Sequence, residues 1–123
     1  MKIAFSAGSD KALDSPMSHH FGKCPYFVIV NLDEDNKIKE TQNVTNPFFE
    51  SHSPGEVPAF IAKQNVDIMI SGGMGQKAVD FFTEYGVKVA TGATGTVKES
   101  LNKFLSGQLS GYSPCSHSDE NCN

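Results

Sequence analysis

The segment His19-His20-Phe21-Gly22-Lys23-Cys24-Pro25 places two imidazoles and one thiol within a span of six residues. Neutral imidazole and thiolate are the side chains that suit soft and borderline metals and metal–sulfur clusters. A packed core does not need that mixture at that spacing. Each residue also has a plain structural alternative. The two histidines can be solvated loop residues, and Cys24, just ahead of a hydrophobic run, can be an inert core thiol. Adjacent residues of an extended chain point to opposite faces, so one metal would take both His19 and His20 only if the loop bends.

The elements that must position this segment alternate between strands and helices. Lys2 to Ala7 is a short apolar strand. Ser9 to Cys24 has no usable periodicity and reads as a long loop, which in a compact domain is usually functional or disordered. Pro25 to Leu32 is a near-continuous run of β-branched and aromatic residues, expected as a strand buried on both faces. After the polar turn Asp33–Asn36, Lys37 to Val44 is mostly polar and reads as an exposed edge strand closing a hairpin. Ser53-Pro54-Gly55-Glu56 has capping-box spacing with proline at the first helical position, and Val57, Phe60 and Ile61 follow at helical spacing to about Gln64. Two strand–glycine turn–helix units then succeed one another. The first is Val66–Ser71, Gly72-Gly73-Met74-Gly75 and a helix carrying Ala78, Val79, Phe82 and Tyr85. The second is Val87–Thr91, Gly92–Gly95 and a helix capped by Thr96 and Glu99 with Val97, Leu101, Phe104 and Leu105 on one face. Right-handed crossovers set the first strand beside Val66–Ser71 and grow the hairpin outward on the other side. The result is an α/β fold with a five-stranded mixed sheet, order 3-2-1-4-5, flanked by helices. Residues 1–107 form the expected domain, and 108–123 a polar Cys/His-containing tail.

In open α/β sheets, ligands sit beyond the carboxyl ends of the parallel strands, where strand order reverses. That end gathers the His19–Cys24 loop and both glycine turns. Each turn leads into a helix N-terminus whose amides and dipole favour an anion. Gly72, Gly73 and Gly75 are therefore expected to approach a ligand by their backbone. The turn is neither a Walker motif nor Gly-x-Gly-x-x-Gly. Met17 and Met74 read as packing residues. In the tail, Cys115, His117 and Cys122 have spacings unlike the tight pairs of structural zinc sites, and read either as a solvated end or as an auxiliary metal-binding arm.

Composition narrows the function classes. The 123 residues are 38% hydrophobic and 20% charged, with net charge −4. That acidity provides no basic footprint for nucleic acid. No run reaches membrane-span length. Met1-Lys2-Ile3-Ala4-Phe5 runs straight into a strand pattern rather than a signal peptide, so a cytoplasmic protein with reduced cysteines is expected.

Several segments together resemble the dinitrogenase iron–molybdenum cofactor biosynthesis family, the small NifX-like domain also found at the end of NifB-like proteins. They are Lys2-Ile3-Ala4-Phe5, His20-Phe21-Gly22-Lys23-Cys24-Pro25-Tyr26-Phe27, Asn46-Pro47 with His52, Val66 to Gly75, and Gly86-Val87-Lys88-Val89. The resemblance spans about residues 1–107. It implies a ribonuclease-H-like fold and the binding or carriage of an iron–sulfur or molybdenum-containing cluster, without catalysis. On that reading Cys24 is a thiolate ligand. His20 and His52 are imidazole ligands or hydrogen-bond partners to cluster sulfide, and His19 is a further metal candidate. Cofactor-assembly proteins or ATPases are the implied partners. A nuclease of this fold needs clustered carboxylates starting on the first strand. That strand has none, Asp10 and Asp14 lie beyond it, and Asp67 starts its strand at the wrong end. The alternative reading is a metal-free module that binds a small anion or docks on a partner through the same glycine turns.

Overall fold

In a computed structural model of the chain, residues 1–48 and 55–109 are described. Five strands form one sheet: β1 (Lys2–Ala7), β2 (Tyr26–Leu32), β3 (Ile38–Thr45), β4 (Ile68–Ile70) and β5 (Lys88–Ala90). Their order is β3-β2-β1-β4-β5. β1 pairs antiparallel with β2 and parallel with β4, so the strand order reverses between them, as the crossover argument requires. β4 and β5 run parallel, and β2 and β3 close the hairpin with a bulge at Asn31/Leu32.

Three helices cover the sheet: α1 (Glu56–Ala62), α2 (Gln76–Glu84) and α3 (Val97–Leu105). The period-2 alternation of β1 splits its side chains between two cores. Ile3, Phe5 and Ala7 join Val28, Val30, Ile70, Val97 and Leu101 under α3. Ala4 joins Phe27, Ile29, Val57, Ile61, Met69 and Phe82 under α1 and α2. β2 is therefore buried on both faces, whereas β3 is exposed along most of its length. Met17 and Met74 pack one into each core.

Two local readings change. The helix α1 opens at Glu56 behind Gly55, whose φ of 90° is left-handed, and it ends at Ala62. Pro54 is thus not its first residue, and Ser53 and Pro54 lie outside the described residues. The Ser9–Cys24 loop is also built rather than structureless. A single 3₁₀ turn spans Ala12–Asp14, and the Ser15 hydroxyl accepts from Lys11 N and donates to Ser9 O. Short bridges tie Ala7 to Met17 and Pro16 to Thr96. Local polar bonds and a few buried side chains do this work, so no periodicity announces it.

Candidate functional site at the carboxyl end of the sheet

The loop after β1 is laced along the carboxyl ends of the strands. Ser18 N donates to Ser6 O at 2.8 Å, and Gly72 N donates to Ser18 O at 3.2 Å. Phe21 N donates to Gly73 O at 3.1 Å, and Gly92 N to Gly72 O at 3.0 Å. The Phe21 ring anchors the segment by packing on Phe82 and Phe27, with ring centroids 5.2 and 6.1 Å away. The histidines are therefore carried directly across the Gly72–Gly75 turn, as the topology predicts.

The glycines of that turn divide their roles. A Cβ on Gly72 would lie 2.8 Å from Ser18 O and 2.9 Å from His19 Cα. The Gly72 amide is also taken by Ser18. Gly72 lets the histidine loop touch the turn, and its N–H does not face a ligand as expected. The Gly73 and Gly75 amides have no acceptor among the described residues. Gly75 is the N-cap of α2, with no side-chain cap and no acidic residue in the first turn. That helix end presents bare amides and an uncompensated positive dipole.

The Gly92–Gly95 turn does the opposite. Thr96 Oγ1 accepts from Glu99 N at 3.1 Å and Glu99 Oε1 accepts from Thr96 N at 3.0 Å, completing the capping box. The carboxylate of Glu99 neutralises the start of α3, so only one of the two expected anion-favouring helix ends is open. The box was visible in the sequence, and it is what closes this end.

His19 is exposed and His20 is half-buried. Nδ1 of His20 is buried and has no hydrogen-bond partner among the described residues. Cys24 is placed differently from the ligand role expected of it. It is fully buried in the core under α1 and α2, among Ala4, Phe21, Phe27 and Phe82. Burial is the main influence on its thiol and pushes the pKa up to about 11, against smaller opposing effects from the Ser6 side chain and the backbone of Ala7, Gly22 and Cys24. The Ser6 hydroxyl is itself buried and makes no hydrogen bond of ordinary geometry, so its effect on the thiol is weak. At neutral pH Cys24 is a protonated core residue. Asn46 holds it there: its Nδ2 donates to Cys24 O at 2.8 Å and to Gly22 O at 3.3 Å, and the residue is 3% exposed. Residue type does not reveal that clamp, because an Asn-Pro pair reads as an ordinary turn.

His52 lies outside the described residues, as do Cys115, His117 and Cys122. Among the described residues, no three His, Cys, Asp or Glu side chains are arranged to hold a metal ion, and no helix is long and apolar enough to cross a membrane. The rim thus offers imidazoles and bare amides rather than a ready cage of charged ligands.

Fold and rim together define a small α/β domain whose histidine loop and glycine turn meet at its topological switch point. The family described as "Dinitrogenase iron-molybdenum cofactor" matches residues 1–107, and the chain belongs to that family. An uncharacterized protein of Methanocaldococcus jannaschii is 32% identical over 111 residues, covering 89% of each chain. A second from the same organism is 28% identical over 110 residues, covering 89% of this chain and 92% of its own. The apo form of the orange protein from Desulfovibrio gigas superposes with a TM-score of 0.78 at 26% identity, covering 92% of this chain and 93% of that one.

Proposed function

We propose that the protein binds an iron–sulfur or molybdenum-containing cluster as cargo during metallocofactor assembly and hands it on without catalysing a reaction. One observation carries this reading: the buried, partnerless Nδ1 of His20 lies in a loop bonded to the turn whose Gly73 and Gly75 amides are free. An anionic cluster satisfies such groups at once. The sulfides accept from the Gly73, Gly75 and α2 amides, and an imidazole donates to sulfide or ligates metal. Family membership supports the cargo class. A carrier must also release what it holds, and a rim of amides and imidazoles, with no accessible thiolate among the described residues, is open enough to do so. His52 is a further imidazole proposed for the same cargo. Cytoplasmic cofactor-assembly proteins or ATPases are the corresponding donors and acceptors.

Anaerobic reconstitution with iron and sulfide tests this. The wild type is expected to become coloured, His20→Ala to lose at least about nine-tenths of the bound metal, and Cys24→Ala to keep it. Equal loading of wild type and His20→Ala would remove the reading. The open end of α2 also suits a metal-free anion such as phosphate. If that second reading holds, inorganic phosphate raises the melting temperature while reconstitution leaves the protein colourless.

A further inference from the structure

The backbone of the turn after β4 is sorted by polarity. The carbonyls of Ser71, Gly72 and Gly73 all accept bonds from within the protein. Ala93 N donates to Ser71 O at 3.3 Å, and Gly92 N donates to Gly72 O at 3.0 Å. Gly73 O accepts twice, from Phe21 N at 3.1 Å and from the Ser71 hydroxyl at 3.0 Å. In a trans peptide the N–H points opposite to the carbonyl of the same unit. Ser71 O and Gly72 O both turn toward the Gly92–Ala93 backbone, so the Gly72 and Gly73 amides turn the other way. Ser18 O takes the first of these at 3.2 Å, and the second is therefore directed to the side of the histidine loop. The amides of the second glycine turn thus hold carbonyls of the first away from the mouth.

A glycine pair does not secure that sorting for itself. Glycine adopts either sign of φ readily, so a Gly-Gly turn can rotate a peptide unit and present C=O in place of N–H. An outward carbonyl repels the anion that a row of amides attracts. Of the donors that prevent this, the Ser71 hydroxyl is the one that a side chain supplies. Ser71 follows β4 directly and is 0% exposed. We propose that Ser71 is a positioning residue for the bound anion: its hydroxyl locks the Gly73 carbonyl inward and keeps the turn selective for negative charge. This role rests on the anion-binding turn proposed for the cargo, and it adds the group that sets the polarity of that turn. The second strand–turn–helix unit supplies a contrast. Ser100 is equally buried, and its hydroxyl donates to Thr94 O at 3.2 Å beside the helix end that Glu99 closes.

The test uses the full chain and inorganic phosphate, followed by the amide resonances of Gly73 and Gly75, with anaerobic iron–sulfide loading in parallel. Removing the Ser71 hydroxyl leaves Gly73 O bonded to Phe21 N, so Ser71→Ala should fold. It should weaken phosphate binding about fivefold, the worth of one hydrogen bond, and lower iron–sulfide loading. Ser100→Ala removes the same kind of bond at the closed turn and should keep wild-type affinity. Without ligand, Ser71→Ala should show microsecond-to-millisecond exchange at Gly73 and Met74 by relaxation dispersion, absent from wild type and Ser100→Ala. Wild-type affinity in Ser71→Ala would overturn the proposal. An equal loss in Ser100→Ala would overturn it too, because general loosening would then explain the effect. His20→Ala loading as well as wild type, while Ser71→Ala still weakens phosphate, would end the cluster reading and support this one. A wild type indifferent to both phosphate and iron–sulfide would end both.

Discussion

Cys24 lies beneath the histidine loop because three influences converge on it. Phe21 and Phe27 share its core, Asn46 clamps the backbone on either side of Lys23, and Ala4 of β1 belongs to the same core. The folded chain therefore favours the neutral thiol. In the unfolded chain the thiol ionises near its ordinary value of 9.0, and in the folded chain only near 11. Its contribution to stability is then complete below about pH 9 and is lost as pH rises through about 11. The contribution amounts to at most about 3 kcal/mol. Denaturant titrations between neutral and alkaline pH should show wild type losing more stability across that window than Cys24→Ala. Parallel curves would mean that the thiol is not buried as described. His20 presents the converse: an imidazole of unremarkable type becomes the group on which the proposed binding rests, because its buried Nδ1 has no hydrogen-bond partner among the described residues.

At the scale of elements, two nearly identical strand–turn–helix units end differently, and a single carboxylate accounts for it. Glu99 caps α3, whereas α2 begins behind Gly75 with no side-chain cap and no acidic residue in its first turn. The turn before α2 is also fitted to the loop across it. Gly72→Ala would press a methyl into two backbone groups, Ser18 O and His19 Cα, which cannot rotate away. It should cost about 2 kcal/mol and displace the histidines. Thermal melts together with iron–sulfide loading check this, and full loading at wild-type stability would refute the close approach. The Gly-Gly sequence marked a turn. It did not say which glycine was needed for contact and which for its amide.

Over the whole molecule, the sheet below the mouth is covered on both faces, with α1 and α2 on one side and α3 with the Ala12–Asp14 turn on the other. Leu109, beyond the apolar stripe of α3 and so grouped with the tail by pattern, completes the core under α3 at 8% exposure. A chain ending at Gly107 should be about 2 kcal/mol less stable than one ending at Leu109, the worth of one buried leucine. Denaturation midpoints distinguish them, and equal midpoints would place Leu109 outside the core.

The strand runs, the glycine turns and the order β3-β2-β1-β4-β5 were all legible in the residues. Periodicity reports burial along one element, and crossover handedness leaves few ways to assemble the elements. The capping box at Thr96 was legible for a similar reason, since both of its partners lie within four residues. The α1 boundary and the folding of Ser9–Cys24 were not, because left-handed Gly55 and isolated polar bonds leave no repeating pattern. Gathering His19, His20 and the glycine turns at one end followed from topology, and so from the sequence alone. Only the tertiary structure decided which of those groups face outward. The direction of the Cys24 thiol, the use of the Gly72 amide and the vacant partner of His20 Nδ1 depend on contacts between residues tens of positions apart, which local pattern does not encode.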